Sequence, residues 1–289
     1  MKLCLECGHS FLKEDWICPE CYFAPESTSG LPSFAPDLAD ENENFPKHSF
    51  AQLAKLEENS FWFRSRRRLI LWCLERYFPK TESFLELGCG TAYALMGIQS
   101  RFPDLCLFGS DIHLTGLSFA KKRVPEATLF QMDACKIPYQ SEFDVIGAFD
   151  VIEHIHNDEE ALRQMWQAAK PNGGIIITVP QHQCLWSSID DYGHHKRRYS
   201  RRELITKTEK AGFEVLRATS FVSILLPLMF LSRLRQPSSK TDIDPEVEFK
   251  ISCKLNRILE CVMTFERILI KAGLTLPVGG SLILIAAKR

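Results

Sequence analysis

Four cysteines in two Cys-x2-Cys pairs, Cys4 with Cys7 and Cys18 with Cys21, are the first residues able to do chemistry. Each pair sets two thiols on one tight turn, and four thiolates suit a closed tetrahedral zinc site. His9 is a spare ligand candidate, although four cysteines already complete the set. Neither pair opens a helix inside a βαβ unit, which disfavours a redox reading. Residues 1–23 are too few to bury an adequate core, so a metal there would act mainly as folding energy.

The second constellation is FLELGCGTA (84–92), an apolar run ending in Gly88-Cys89-Gly90. Glycines at a strand-to-helix turn let the chain bend tightly and let a ligand approach the main chain. Asp111 follows Gly90 by 21 residues, at the end of the next apolar run, where a carboxylate can hold both ribose hydroxyls. Tyr93 stands where a dinucleotide fingerprint has its third glycine, which disfavours a pyrophosphate ligand. Glu86, Asp111, Asp133 and Asp150 all fall at successive strand ends. Any one of them alone reads as a cap or turn residue. Together they suit a ligand carrying a sulfonium and an ammonium better than one with two phosphates.

Three further patches carry polar chemistry. Glu153 and His154 lie just past the strand 143–149, and an imidazole there can take a proton near neutrality. A second patch, 186–199, holds Asp190, His194, His195, Arg197 and Arg198. These can bind an acidic or phosphorylated substrate, with His195 as an alternative base. The third, 57–68, sets Phe61, Trp62 and Phe63 beside Arg64 and Arg66. Its aromatics can close over a ligand while the arginines meet an anion. Each patch also has a plain alternative: an ordered loop, a solvated helix start, and helix packing with a basic face.

The elements that must position these residues follow from periodicity. Strands are expected at 83–87, 105–110, 128–132, 143–149, 175–179, 213–220 and 281–287. Helices are expected at 91–101, 114–123, 158–169 and 200–211, the last capped by Ser200 and stopped by Gly212. Alternation of this kind predicts an α/β fold with a doubly wound, mostly parallel sheet. The expected units are a ribbon at 1–23, a polar linker at 24–48 and the main domain at 49–289. Residues 221–277 read as a two-helix insertion or cap; it contains FVSILLPLMFL, then Arg233 and Arg235. That apolar run is about half the ~20 residues of a membrane span, so peripheral contact is the most it suggests. The N-terminus lacks an apolar signal region, which points to a cytoplasmic protein. Cys73, Cys106, Cys253 and Cys261 sit in apolar stretches and read as buried thiols. A net charge of -1 gives no reason to expect polyanion binding.

ELGCGTA, SDIHLTGLSFAKKR, QMDACKIPY, FDVIGAFDVIEHIHN and KPNGGIIITVP, in that order, resemble the motifs of class I S-adenosylmethionine-dependent methyltransferases. The resemblance runs from about 61 to 289. It implies a Rossmann-like, seven-stranded sheet of order 3-2-1-4-5-7-6 whose last strand is antiparallel. It also implies S-adenosylmethionine as cofactor. Glu86 with Gly88, Cys89 and Gly90 would hold the methionine end, and Asp111 the ribose, with Ile112 on adenine. Asp133 and Ala134 would meet the adenine amino group, and Phe149 and Asp150 the sulfonium end. By the same resemblance, Glu153, His154 and His195 are candidate catalytic residues; Trp62, Arg64, Asp190, His194 and Arg197 are candidate substrate contacts. The favoured reading is methyl transfer to an O, N or C atom of a small or lipid-linked molecule. An RNA methyltransferase using the ribbon is a second reading, opposed by the charge and by Phe149-Asp-Val-Ile152 in place of an NPPY-like tetrad. A non-catalytic cofactor-binding scaffold is the third. The sequence leaves the oligomeric state open.

Overall fold

The computed structural model describes residues 1–40, 49–234 and 251–289. It opens with a ribbon, β1 (Lys2–Leu3) against β2 (Ser10–Phe11). A hairpin of β3 (Glu26–Thr28) and β4 (Leu31–Ser33) and three helices follow: α1 (Pro36–Asp40), α2 (Ser49–Asn59) and α3 (Phe61–Tyr77). The alternating part runs β5 (Ser83–Leu87), α4 (Tyr93–Arg101), β6 (Cys106–Asp111), α5 (Leu114–Arg123), β7 (Thr128–Gln131) and β8 (Phe143–Phe149). It continues with α6 (Asp158–Ala168), β9 (Ala169–Pro180), α7 (Ser188–Tyr192), α8 (Arg201–Lys210) and β10 (Glu214–Phe221). Among the described residues, two insertion helices, α9 (Leu226–Leu234) and α10 (Cys253–Lys271), precede β11 (Ser281–Ala287). Arg235 lies outside the described residues.

The sheet order is β10-β11-β9-β8-β5-β6-β7-β4-β3. Strands β5 to β9 are parallel, and β11 is antiparallel to both of its neighbours. The seven main strands therefore have the expected order and the expected antiparallel strand. The sheet has nine strands rather than seven because of residues that the sequence reads as linker. Gly30 and Ser29, both at positive φ, turn the β3–β4 hairpin, and Ser33 pairs in parallel with Gln131. Within 24–48, then, 26–33 extends the sheet and Pro36–Asp40 is helical; 41–48 lie outside the described residues.

Parallel central strands are covered on both faces, which is why β5, β8 and β9 read as near-continuous apolar runs. One face packs Leu69, Ile70, Leu95, Leu117 and Met263 from α3, α4, α5 and α10. The other packs Leu162, Met165 and Leu204 from α6 and α8, with Tyr199. Buried Asp158 ties this second layer together: it accepts from the Tyr199 hydroxyl at 2.6 Å and from Lys207 at 2.6 Å. Cys73 is buried as expected, but Cys106, Cys253 and Cys261 are exposed: Cys106 and Cys253 open β6 and α10, and Cys261 lies on the exposed side of α10. Among the described residues, no helix is long and apolar enough to cross a membrane.

The ribbon is docked rather than dangling. Leu3 donates its amide to the Pro138 carbonyl at 3.0 Å, and Gln140 donates to the Met1 carbonyl at 2.9 Å. Trp16 stacks edge-on against Phe34 at 4.6 Å and Tyr139 at 5.2 Å.

Candidate active site

The carboxyl ends of β5, β6, β8 and β9 open onto a cavity of about 780 Å³. It lies where the connections from β5 and β8 diverge, the usual ligand crevice of a doubly wound sheet. The loop after β5 is built for close approach. Gly88 has φ +61°, and a Cβ there would lie 2.5 Å from Val151 Cγ2. Gly90, at φ +52°, donates its amide to Asp111 Oδ2 at 2.7 Å, while Asp111 Oδ1 accepts from the His113 amide at 2.8 Å. Asp111 is therefore fixed beside the glycine turn and still faces the cavity. Glu86 accepts from the Leu95 amide at 3.0 Å at the start of α4. Burial pushes its carboxyl up to about 8, with the Arg66 guanidinium pulling the other way.

The entrance helices reach the same loop. Glu57 of α2 accepts from Thr91 Oγ1 at 2.8 and 2.6 Å and from Arg123 at 2.5 Å. Arg66 of α3 stacks over Trp62 and pairs with Asp150, a residue at φ +58° that also accepts from Thr178 Oγ1 at 3.2 Å. Strained backbone of this kind persists where surrounding structure holds it, here at the cavity wall.

The far end is polar on one side. Asp190 is fully buried and accepts two hydrogen bonds from Arg198, each 2.8 Å, and one from His195 Nδ1 at 2.9 Å. Burial alone would raise the Asp190 carboxyl, but His195 and Arg198 hold it well below the usual carboxylate range. The His154 ring meets His195 edge-on at 4.6 Å. Burial, reinforced by His195, pushes His154 down to about 3, so its ring is neutral at pH 7 and a weak proton acceptor. Glu153 is fully buried, and burial raises its carboxyl well above the usual range. The opposite wall is apolar, with Leu225 and Met229 of the insertion facing Leu255 and Leu259 of α10. Its turn depends on Glu266, whose buried carboxylate accepts from the amides of Val222, Ser223 and Ile224 at 2.6, 2.7 and 2.8 Å.

Most of the expected site residues meet in this one cavity: Glu86, Gly88, Cys89, Gly90, Asp111, Phe149 and Asp150 at the glycine-loop end. Trp62, Glu153, His154, Asp190, His194 and His195 line it as well. Ile112, Asp133 and Ala134 follow β6 and β7 outside the lining, where Asp133 accepts from the Cys135 amide at 2.8 Å. Two substrate candidates need correction. Arg64 turns away to Glu260 at 2.6 Å and lines a separate cavity, because Arg66 occupies the inward helical phase. Arg197 straps Asp158 at 2.9 Å and the His156 carbonyl at 2.9 Å, and its neighbour Arg198 points inward instead. Glu57, Thr91 and Arg123 are brought together by tertiary packing and have no signal in local spacing.

At the N-terminus the four expected thiols converge. Cys4 and Cys21 sulfurs lie 3.5 Å apart, Cys7 and Cys18 3.6 Å, and all four fall within 4.8 Å of one another. These separations are far beyond a disulfide bond and close to the ~3.8 Å edge of a tetrahedron with Zn–S near 2.3 Å. The two turns are alike: Gly8 and Tyr22, each after the second cysteine, have φ +74° and +61°. Their amides donate to the carbonyls of Cys4 and Cys18, both at 3.0 Å.

Residues 57–218 match the profile of a family described as a methyltransferase domain, more than half of the chain. A "probable S-adenosylmethionine-dependent methyltransferase" of Mycolicibacterium smegmatis is 25% identical over 169 residues, 55% of this chain and 62% of that protein. The malonyl-[acyl-carrier protein] O-methyltransferase of Priestia megaterium is 21% identical over 42% of this chain and 45% of its own length. The chain thus spans less than two thirds of these relatives. Among solved structures, phosphoethanolamine N-methyltransferase 2 of Haemonchus contortus, in complex with S-adenosyl-L-methionine, superposes with a TM-score of 0.59. That match has 18% identity over 87% of this chain and 60% of the other, so it speaks for the fold.

Proposed function

We propose that this chain, which belongs to the methyltransferase domain family, transfers a methyl group from S-adenosylmethionine to a small-molecule or lipid-linked acceptor. One observation carries the reading: a single cavity joins the Gly88–Gly90 loop and Asp111 to a polar cluster and an apolar wall. Bound there, S-adenosylmethionine would supply an electrophilic methyl carbon on its sulfonium. Asp111 would accept from the ribose hydroxyls, and Asp150 and Glu86 would add negative charge near the cationic end. Ile112, Asp133 and Ala134 would border the adenine from the ends of β6 and β7. Trp62 and Phe63 would cover the cofactor from α3, with Arg66 between them and Asp150.

Asp190 and Arg198 hold His195 in one orientation, so Glu153, His154 and His195 would position the nucleophilic atom of the acceptor. His194 would meet the rest of a polar acceptor. The wall of Leu225, Met229, Leu255 and Leu259 suits an acceptor with an aliphatic or lipid-linked portion. In the ribbon, Cys4, Cys7, Cys18 and Cys21 would bind a structural zinc ion, since their spacing leaves little adjustment to close a tetrahedron. Eleven cysteines, none of them disulfide-bonded, suit a reducing cytoplasm.

Calorimetric titration with S-adenosylmethionine tests the cofactor half. One molecule should bind per chain, and Asp111→Ala should weaken binding by about 10–100-fold, the loss of charged hydrogen bonds worth ~1.5–3 kcal/mol. Equal affinity of the two proteins would remove Asp111 from the site.

A further inference from the structure

We propose that Glu153, His154 and His195 bind a divalent cation whose open positions face the cavity, where an oxygen of the methyl acceptor completes its coordination. The acceptor part of this inference rests on the methyl-transfer reading above; the cation site stands on its own geometry. One ligand atom from each of the three residues lies within 4.8 Å of the others. Three ligands about 2.1 Å from one ion that leave positions open sit roughly 3.0–3.6 Å apart, so shifts on the order of 1 Å would close the set.

Glu153 supplies the second, independent observation. Its side chain is fully buried, and neither carboxylate oxygen has a hydrogen-bond partner on another described residue. A carboxylate taken out of water without a donor or a cation is costly, so a native fold seldom keeps one idle. Asp150 does not compete for this role, because Arg66 and Thr178 already occupy it.

The outer contact of His195 is that of a metal-bound histidine. His195 directs Nδ1 to Asp190, itself clamped by Arg198, which leaves Nε2 available to a ligand. The His154 ring meets that of His195 edge-on at 4.6 Å and lines the same cavity, which sets the two imidazoles side by side. The Lys196 amide bonds the Glu153 carbonyl at 2.8 Å and locks the His195 loop onto the turn that carries Glu153 and His154. Three protein ligands are the usual number where an ion keeps positions for water or substrate. Two imidazoles with one carboxylate favour a transition ion such as Mn2+, Fe2+ or Co2+ over Mg2+ or Ca2+. An ion there would bind a hydroxyl oxygen of the acceptor and lower its pKa, so that the proton leaves to solvent water and the ion holds the resulting oxyanion.

The test is a titration of the full, zinc-loaded chain with MnCl2, followed by the electron paramagnetic resonance signal of free Mn2+. One Mn2+ should bind per chain, at least tenfold more weakly in Glu153→Gln and in His195→Ala, with enhanced water-proton relaxation reporting open positions. Titration of both variants with S-adenosylmethionine serves as the folding control and should give the wild-type affinity within twofold. No Mn2+ binding, or binding unchanged in the variants, would overturn the cation site. Bound Mn2+ without relaxation enhancement would overturn its exposure to the acceptor. Loss of S-adenosylmethionine binding by the wild-type chain would instead count against the methyl-transfer reading, and the Mn2+ result would still be read separately.

Discussion

At the residue scale, the site gathers carboxylates that the fold holds in different states. Asp111 faces two amide donors and Asp190 a guanidinium, whereas Glu86 is buried with a single backbone donor. Its carboxyl, raised from 4.5 to about 8, must give up solvation to ionise in the folded protein. The native state then binds more protons than the unfolded chain between those values. Stability from this group is full below 4.5, falls as pH rises, and levels off above about 8. Thermal melts of the cofactor-free protein should show that decline, and Glu86→Gln should flatten it. Parallel pH profiles for the two proteins would show that Glu86 is charged throughout. The sequence reveals the ring of strand-end acids because each ends an apolar run. It cannot choose Arg66 over Arg64, since RSRRR offers four guanidiniums and only packing against Trp62 selects the inward one.

At the element scale, the apolar wall of the cavity hangs on one buried ion. The turn after β10 carries Val222 at φ +57°, a conformation that a β-branched residue adopts only under constraint. Glu266 of α10 supplies that constraint through three amides. Glu266→Ala would leave them unpaired, costing about 2–3 kcal/mol and lowering the melting temperature by roughly 5–10 °C. Glu266→Gln, which keeps one acceptor oxygen, should recover part of this; equal melting of all three proteins would show that the turn holds itself. The main strands were legible in sequence because buried parallel strands are continuous apolar runs. The β3–β4 hairpin was not. Its residues are short and polar, and it is fixed by a distant partner, the buried Gln131 side chain, which bonds Ser33 Oγ at 2.8 Å and the Ala35 amide at 3.0 Å.

At the scale of the whole molecule, the hairpin extends the β7 edge of the sheet and the ribbon docks on the connection from β7 to β8, away from the insertion that walls the cavity. A zinc ion in the ribbon should therefore matter for folding at that edge and little for cofactor binding. Elemental analysis should find one zinc per chain, and Cys18→Ser should lose it. Hydrogen exchange should then rise at residues 1–23 and 138–140 while S-adenosylmethionine affinity holds; unchanged exchange would mean that the ribbon folds without metal. The identity of the acceptor is tested by labelled methyl transfer. The protein is incubated with S-adenosylmethionine carrying a labelled methyl group and a fractionated cell extract. Label is predicted in the small-molecule or lipid fraction, at a rate at least tenfold lower for His195→Ala. Label in RNA, or no transfer by a chain that binds the cofactor, would contradict it.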